Sequence, residues 1–259
     1  MNVSTRLPST WRIALVATGL ALMPALARAT PSTTFWAPSV ATCQAKGVPH
    51  ITYDTYFGAK AGAGYPIDTG LTIGVLPGDK VQAEVGYDVL LPSEDPVQFY
   101  LNAKVCVTEN TLFKGGPAVS FGFYSIGFEK DVTDYNPYHL MFQKTLPWGG
   151  YIAAGLYHGL STPLFTNSDG DVAKTGAMIG GAAPDIKIGL RGLDKIVIIG
   201  DIQTGKNVFG AGGFGGTFYF NERISLIVGP VFFLDEALQP GGVSHMWTAQ
   251  IDVDVPLGR

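Results

Sequence analysis

The sequence predicts an all-β fold, an antiparallel transmembrane β-barrel of about 12 strands within a range of about 10–14. Three observations predict it. Alternating apolar and polar residues recur in segments along the chain, the connections between these segments alternate between short and long, and the chain begins with the pattern of a secretory signal.

The first 29 residues have the layout of a cleaved signal peptide. Arg6 and Arg12 precede an apolar run over 13–23, Pro24 ends this run, and Ala27-Arg28-Ala29 offers small residues for cleavage. The run has 11 residues, whereas a spanning helix needs about 20. We therefore expect cleavage after Ala29 rather than a membrane anchor. Because residues 1–29 contain three arginines and no acid, the remaining chain has a net charge of −7.

The composition excludes several classes of protein. The 259 residues include 34 glycines, only 15% are charged, and the net charge is −4. Such a chain is neither a disordered acidic polypeptide nor a coiled coil, and it lacks the basic surface that nucleic-acid binding needs. After residue 29, charged residues or prolines interrupt every apolar stretch before 18 residues, so no helix is expected to span a membrane.

The strand pattern is clearest over 80–91, where Val81, Val85 and Val89 alternate with Gln82 and Asp88. Most of the alternating segments have 10–13 residues, which suits transmembrane strands of about 9–11 residues better than soluble strands of about 5–6. The twelve segments cover 48–58, 67–76, 80–91, 97–107, 117–129, 137–146, 149–160, 173–184, 195–204, 208–220, 223–234 and 245–255.

The connections indicate an orientation with both ends of the chain in the periplasm. Tight turns at 77–79, 147–148 and 221–222 fall at even-numbered connections, and the longer polar connections 58–66, 161–172 and 235–244 fall at odd-numbered ones. Acids outnumber bases in the odd-numbered loops. The connections 108–116 and 185–194 are long for periplasmic turns. Apolar and polar residues also alternate along the strands of a secreted or periplasmic β-sandwich or a lipocalin-like carrier. These folds remain the alternative.

The chain divides into a signal peptide (1–29), a periplasmic N-terminal segment (30–47) and a barrel (48–259). Cys43 precedes the first strand and Cys106 ends the fourth, so both lie near the periplasmic mouth. The oxidising periplasm permits a disulfide between them, which would hold the N-terminal segment across the opening as a partial plug. Two unpaired thiols are the alternative.

Strand parity assigns the side chains that face the lumen. Six of them are acids, and Lys104 is the lone lysine among them. An acidic lining favours cations; alternatively, these charges are only solvated, or Lys104 pairs internally with Glu84 or Asp88. The residues expected to face the lumen are Asp54, Glu84, Asp88, Asn102, Lys104, His139, Gln143, Asp201, Gln250, Asp252 and Asp254.

The segments Val81-Gln-Ala-Glu-Val-Gly-Tyr-Asp88 and Gly149-Gly-Tyr-Ile-Ala-Ala-Gly-Leu-Tyr157 resemble those of small outer-membrane β-barrel proteins of Gram-negative bacteria, including proteins described as meta-pathway phenol-degradation proteins. The resemblance covers most of the chain after residue 29 and implies contact with outer-membrane lipid and lipopolysaccharide. It brings no catalytic motif. Such barrels often end on an aromatic residue that helps assembly, whereas this chain ends Val255-Pro-Leu-Gly-Arg259, so the signal is absent or lies inward at Trp247.

Two functions of different classes fit the sequence. One is a narrow channel or uptake pore for small solutes of unidentified chemistry, and the other is a structural or surface-interaction barrel without transport. A hydrolase of the outer-membrane phospholipase type is disfavoured, since none of the four histidines is followed two residues later by Ser on the same strand face. No metal or cofactor is expected, because no Cys/His cluster is present and the glycine run 210–216 lacks the lysine and helix of a phosphate loop.

Overall fold

The fold is a closed antiparallel barrel of 12 strands with one extra strand, as the sequence predicts. The computed structural model describes residues 33–257 except 59, 63, 77 and 93–97. The strands are β1 (Pro49–Phe57), β2 (Ile67–Gly74), β3 (Val81–Leu91), β4 (Phe99–Val107), β5 (Ala118–Ile126), β6 (Tyr138–Thr145), β7 (Tyr151–His158), β8 (Thr175–Ala182), β9 (Ile186–Leu190), β10 (Leu193–Gln203), β11 (Ala211–Tyr219), β12 (Ile224–Phe233) and β13 (His245–Asp254).

Each strand of the barrel pairs with its neighbours in the sequence, and β1 pairs with β13 to close the sheet. All twelve predicted segments therefore correspond to barrel strands. We call the end at which β1 begins and β13 ends the lower mouth, and the opposite end the upper mouth. The long connections 58–66, 159–174 and 234–244 lie at the upper mouth, and the turns 146–150 and 220–223 lie at the lower mouth.

The extra strand explains one of the two connections that are too long for simple turns. The first residues of β10, from Leu193 to Ile196, pair with β9, whereas the residues from Ile199 onward pair with β8. The connection between β8 and β10 is thus a β-hairpin that extends the sheet beyond the lower mouth. Gly192, in the turn of this hairpin, has a φ of +87°, which glycine adopts without a steric penalty.

The barrel has polar residues inside and apolar residues outside. In β13, Thr248, Gln250 and Asp252 are buried, whereas Trp247 and Ile251 are each 45% exposed. A soluble barrel would bury the apolar set instead. The strand alternation therefore leaves a polar lumen that needs hydrogen-bonding partners.

The N-terminal segment supplies many of these partners because it lies inside the barrel. Residues 33–48, which we call the plug, bury Phe35, Ala37, Val40 and Ala41 to 2% exposure or less. These apolar residues are shielded from water by the barrel wall, which accounts for the position of the segment. The sequence places 30–47 across the periplasmic opening; its described part, from Thr33, extends well into the lumen. The predicted signal peptide, 1–29, lies outside the described residues.

Two apolar clusters join the plug to the wall. Phe35 packs with residues of β10–β13, including Ile227 and Met246. Ala37 and Ala41 pack with a second cluster on β5–β8, including Met141 and Met178. The plug therefore packs against two adjoining parts of the barrel wall, β5–β8 and β10–β13, through dispersion contacts and burial of apolar surface.

The glycine run 210–216 provides the space for Phe35. A Cβ atom at Gly213 or Gly215 would collide with the Phe35 ring, because both positions of β11 face the lumen. The sequence suggests that these glycines relieve crowding in a curved strand. The structure identifies the ring of the plug as the group for which they make room.

We expect Gly213→Val to reduce the free energy of unfolding by about 1–3 kcal/mol, since an added side chain must displace Phe35 from a packed lumen. Denaturant unfolding monitored by tryptophan fluorescence measures this loss. Gly212→Val is the matched control, because Gly212 lies on the outer face of the same strand. Equal losses for the two variants would show that Phe35 does not occupy this space.

Candidate functional site

The Asp201 carboxylate on β10 forms the centre of the contact between plug and barrel. Its Oδ2 accepts hydrogen bonds from the backbone N–H groups of Phe35 and Ala37, both at 3.0 Å, and from the Ser39 hydroxyl at 2.9 Å. Its Oδ1 accepts one from the Trp36 N–H at 3.0 Å. Three successive N–H groups thus converge on one buried carboxylate, as in the backbone nests that bind anions.

A second set of polar contacts fixes the end of the plug near the lower mouth. The Gln44 backbone N–H donates to Glu84 Oε2 at 2.5 Å, and Lys104 Nζ lies 3.1 Å from Glu84 Oε1. The Gln44 side chain donates to Asp254 Oδ1 at 2.9 Å, and the same oxygen lies 2.8 Å from His50 Nδ1. The buried charges of the lower lumen are therefore matched by partners, which lowers the cost of their burial.

Further lumen side chains hold the middle of the plug. Gln143 on β6 accepts a hydrogen bond from the Ala41 N–H at 2.9 Å, and Gln250 on β13 donates one to the Phe35 carbonyl at 3.0 Å. Asp252 lies 3.5 Å from His50 Nε2 and accepts a hydrogen bond from the Ser225 hydroxyl. The plug is thus held from several strands at once.

A covalent bond adds to these contacts. Cys43 of the plug and Cys106 of β4 form a disulfide, the pairing that the sequence suggests. Both residues are buried, and Lys46 forms an isolated parallel bridge with Gly74 of β2 just below. The plug is therefore linked to the wall at β4 by a bond and at β2 by backbone pairing.

Beside the plug lies a cavity of about 430 Å³. Trp36 and Pro38 of the plug contribute to its lining, and residues of the upper loops, such as Tyr135, Phe209 and Gln239, contribute at the other end. This volume lies within the range of small-molecule binding sites, about 300–1,000 Å³. The plug thus fills part of the lumen, and the cavity remains between it and strands β1–β5.

One wall of the cavity is acidic. Asp54 on β1 and Asp68 on β2 stand directly opposite each other in the β1–β2 pairing, and Asp88 on β3 is opposite Gly70, two residues from Asp68. Asn102 on β4 donates a hydrogen bond to Asp88 and accepts one from the Ser125 N–H at 2.9 Å. Four neighbouring strands therefore present one continuous polar surface to the cavity.

Contacts between loops lie at the upper mouth. Asp235, after β12, accepts a hydrogen bond from the backbone N–H of Ser168 at 2.9 Å, and this bond lowers the pKa of the Asp235 carboxyl. Lys60, between β1 and β2, donates a hydrogen bond to the Gly241 carbonyl. These contacts connect the β7–β8 loop and the β1–β2 loop to the β12–β13 loop.

The predicted lumen residues all lie on the inner side of the barrel and fall into two groups. Most contact the plug directly or through neighbouring side chains, namely Glu84, Lys104, Gln143, Asp201, Gln250, Asp252 and Asp254. The others line the cavity, namely Asp54, Asp88, Asn102 and His139. The internal pairing of Lys104 with Glu84 occurs, whereas Asp88 is bound by Asn102.

Asp68 is the functional residue that the sequence reasoning missed. The alternation over 67–76 carries the signal, since Asp68 shares its face with Gly70 and Thr72, whereas Ile67, Leu71 and Ile73 lie on the other face.

His139 faces the lumen as predicted, but it lies in an aromatic environment. Its ring is buried beside Tyr124 at a centroid distance of 5.7 Å, with no hydrogen bond to either nitrogen among the described residues.

The described part of the chain has no helix long and apolar enough to cross a membrane. Within the same residues, no group of three or more His, Cys, Asp or Glu side chains is arranged to hold a metal ion. No protein-family model matches the chain, and no curated protein matches its sequence. The geometry of the plug and cavity is therefore the basis on which a function can be proposed.

We expect Asp201→Ala to release the first part of the plug, because three buried N–H groups lose their acceptor. A hydrogen bond to a charged group contributes about 1.5–3 kcal/mol to stability. The equilibrium constant for release of the plug should therefore increase by at least about tenfold. Chymotrypsin cleavage after Phe35 and Trp36, followed by mass spectrometry, measures this release. Asp201→Asn, which keeps one acceptor oxygen, should give an intermediate rate.

The exposed loop residue Asp169 provides the control, since Asp169→Asn removes a carboxylate far from the plug. Its cleavage rate should match that of the unmodified protein. Unchanged resistance of the Asp201→Ala variant would mean that the carboxylate does not hold the plug.

Proposed function

We propose that the protein is an outer-membrane β-barrel that acts as a narrow uptake pore for small solutes, closed at rest by its own N-terminal segment. The observation that carries this proposal is the combination of an apolar exterior with a lumen that holds a plug and, beside it, a cavity. The apolar exterior supports the membrane location, and the lumen supports the uptake function.

The exterior matches the requirements of a lipid environment. Large apolar side chains face outward on nearly every strand of the barrel, for example Val85, Leu140, Phe142, Ile152 and Ile198, with exposures of 42–57%. Contiguous apolar surface on this scale is rare on soluble proteins. In a closed barrel every strand is paired on both sides, which satisfies the backbone as hydrocarbon demands. A lipocalin-like soluble carrier would instead present polar residues outside.

The alternation of connections supports the orientation. Transmembrane barrels of bacteria have short periplasmic turns and longer extracellular loops, so the lower mouth would face the periplasm and the upper mouth the exterior. The cavity would then be open to solutes outside the cell, and the upper loops would meet lipopolysaccharide. The resemblance to small outer-membrane barrel proteins supports the same assignment.

The lumen favours uptake over a purely structural role. A barrel that serves only as an anchor has no need for a polar cavity beside a separate plug that is held by hydrogen bonds. Here the plug lies in the lumen without being one of the barrel strands, so its displacement would leave the wall intact. A structural or surface-interaction barrel remains the second candidate, favoured by the loop contacts at Asp235 and Lys60.

Conductance in planar bilayers tests the uptake pore. The intact protein should show small or rare openings, whereas the triple variant Cys43→Ser/Cys106→Ser/Asp201→Ala should show larger and steady openings, because the bond and the main hydrogen-bond centre of the plug are both removed. The reversal potential in a salt gradient should indicate a preference for cations, since Asp54, Asp68 and Asp88 line the opened path.

The double variant Cys43→Ser/Cys106→Ser is the control, because it keeps the Asp201 contacts and should stay mostly closed. If the triple variant folds, as judged by its circular dichroism, and remains silent, the protein is a structural barrel rather than a pore.

The membrane location has its own test. Leu140→Lys, near the middle of the outer face of β6, should destabilise the barrel in lipid vesicles by about 2–4 kcal/mol, because a charge in the hydrocarbon region is costly. Leu112→Lys in the 108–117 connection, where Leu112 is 60% exposed, should have little effect. In a water-soluble barrel both substitutions would be harmless.

A further inference from the structure

We propose that the acidic wall of the upper cavity is a binding site for a small organic cation, an ammonium group carried on an aromatic or otherwise apolar group. This proposal names a class of ligand for the uptake function proposed above. It rests on that function only for the side of the barrel from which the ligand enters. The site itself is argued from the carboxylates, the aromatic walls and the volume of the cavity.

Two carboxylates of the wall have buried oxygens that lack a partner. Asp54 Oδ1 and Asp68 Oδ1 are inaccessible to water, and neither has a hydrogen bond to any described residue. Directly opposed residues of antiparallel strands have Cβ atoms about 4.5–5.5 Å apart, so the two side chains approach each other across the β1–β2 pairing. Buried carboxylates without partners are costly, and the charge of a cation bound beside them in the cavity would lower this cost.

The third carboxylate is held in a fixed position. Asp88 accepts a hydrogen bond from Asn102 and lies over Gly70, where a Cβ atom would collide with its carboxylate. Gly70 follows Asp68 on the same face of β2. Glycine at this position therefore lets Asp88 lie against β2, close to Asp68, and the three carboxyl groups form one continuous surface.

The basic groups near this surface form ion pairs with other acids. Among the described residues that line the cavity, Lys104 is the basic side chain besides His139, and Lys104 is bound to Glu84. His50 lies behind the wall and contacts Asp252 and Asp254. The three acids line the cavity, where a cation can approach them.

The surroundings favour an organic cation over a metal ion. The described residues contain no group of three His, Cys, Asp or Glu side chains arranged as metal ligands. Aromatic residues line the rest of the cavity, with Trp36 and Tyr56 at a centroid distance of 6.0 Å and Tyr100 and Tyr135 at 6.1 Å. Aromatic faces attract ammonium groups and accommodate apolar ligand atoms, whereas a hydrated metal ion gains little from them.

Binding of three probes of similar shape and different charge tests the site. Benzylammonium, benzyl alcohol and benzoate are titrated into the full, detergent-folded protein by isothermal calorimetry. We expect benzylammonium to bind at least about tenfold more tightly than benzyl alcohol, and benzoate to bind more weakly than either. In the variant Asp54→Asn/Asp68→Asn the affinity for benzylammonium should fall by at least about tenfold, with that for benzyl alcohol unchanged.

Asp169→Asn is the matched control and should bind all three probes as the unmodified protein does. Circular dichroism establishes that the double variant is folded; should it not be, Asp88→Asn alone serves as the second variant, with a smaller loss expected. The proposal is overturned if the alcohol or benzoate binds as tightly as benzylammonium, if the folded variants keep the full affinity, or if Mg²⁺ displaces benzylammonium and binds in its place.

These outcomes are independent of conduction. Selective binding in a protein whose plug-release variant stays silent supports the site and contradicts the pore. Conduction without selective binding supports the pore and contradicts the site.

Discussion

The structure depends on one electrostatic contact, the Asp201 carboxylate with the N–H groups of the plug. A carboxylate buried inside a barrel would be strongly unfavourable without partners. Here the backbone of Phe35, Trp36 and Ala37 supplies three donors, and Ser39 a fourth. The same donors would be unsatisfied if the segment entered an apolar lumen. The Asp201 carboxylate and the N–H groups of the plug therefore stabilise each other, and this contact holds the segment inside the barrel.

The reversed polarity of the barrel extends this logic to the remaining lumen. The strands direct many of their polar residues inward, and those that are buried need hydrogen-bonding partners. Along its path the plug supplies them to Gln143, Gln250, Glu84 and Asp254. Toward β1–β5 the plug does not fill the lumen, and the cavity lies there. The same strand pattern thus produces one part of the lumen that is hydrogen-bonded to the plug and another part that remains a cavity. The proposed function uses both parts.

The strands were predictable because each depends on local alternation. The period of two fixes which residues of β3, β4 and β13 face inward, and the position of Cys43 before β1 and of Cys106 at the end of β4 brings the two thiols to the same mouth. These inferences need only strand order and parity. For the same reason, the residues predicted to face the lumen lie inside the barrel.

The plug was not predictable in the same way, because it has no periodic pattern. Its path depends on long-range contacts, such as the one between Phe35 and Gly213, which no local signal reveals. The separation of the lumen acids into plug contacts and a cavity wall depends on this path. Asp68 was missed although parity assigns it inward, and β9 was missed because a hairpin of five-residue strands resembles a long turn.

Hydrogen exchange of the plug amides measures the central claim most directly. In the unmodified, folded protein, the N–H groups of Phe35, Trp36 and Ala37 are predicted to exchange as slowly as strand amides such as Ile199 in β10, since the Asp201 carboxylate accepts all three. Exchange as fast as that of Gly170 in the β7–β8 loop would contradict the account, because it would show that the plug does not stay bound in the lumen.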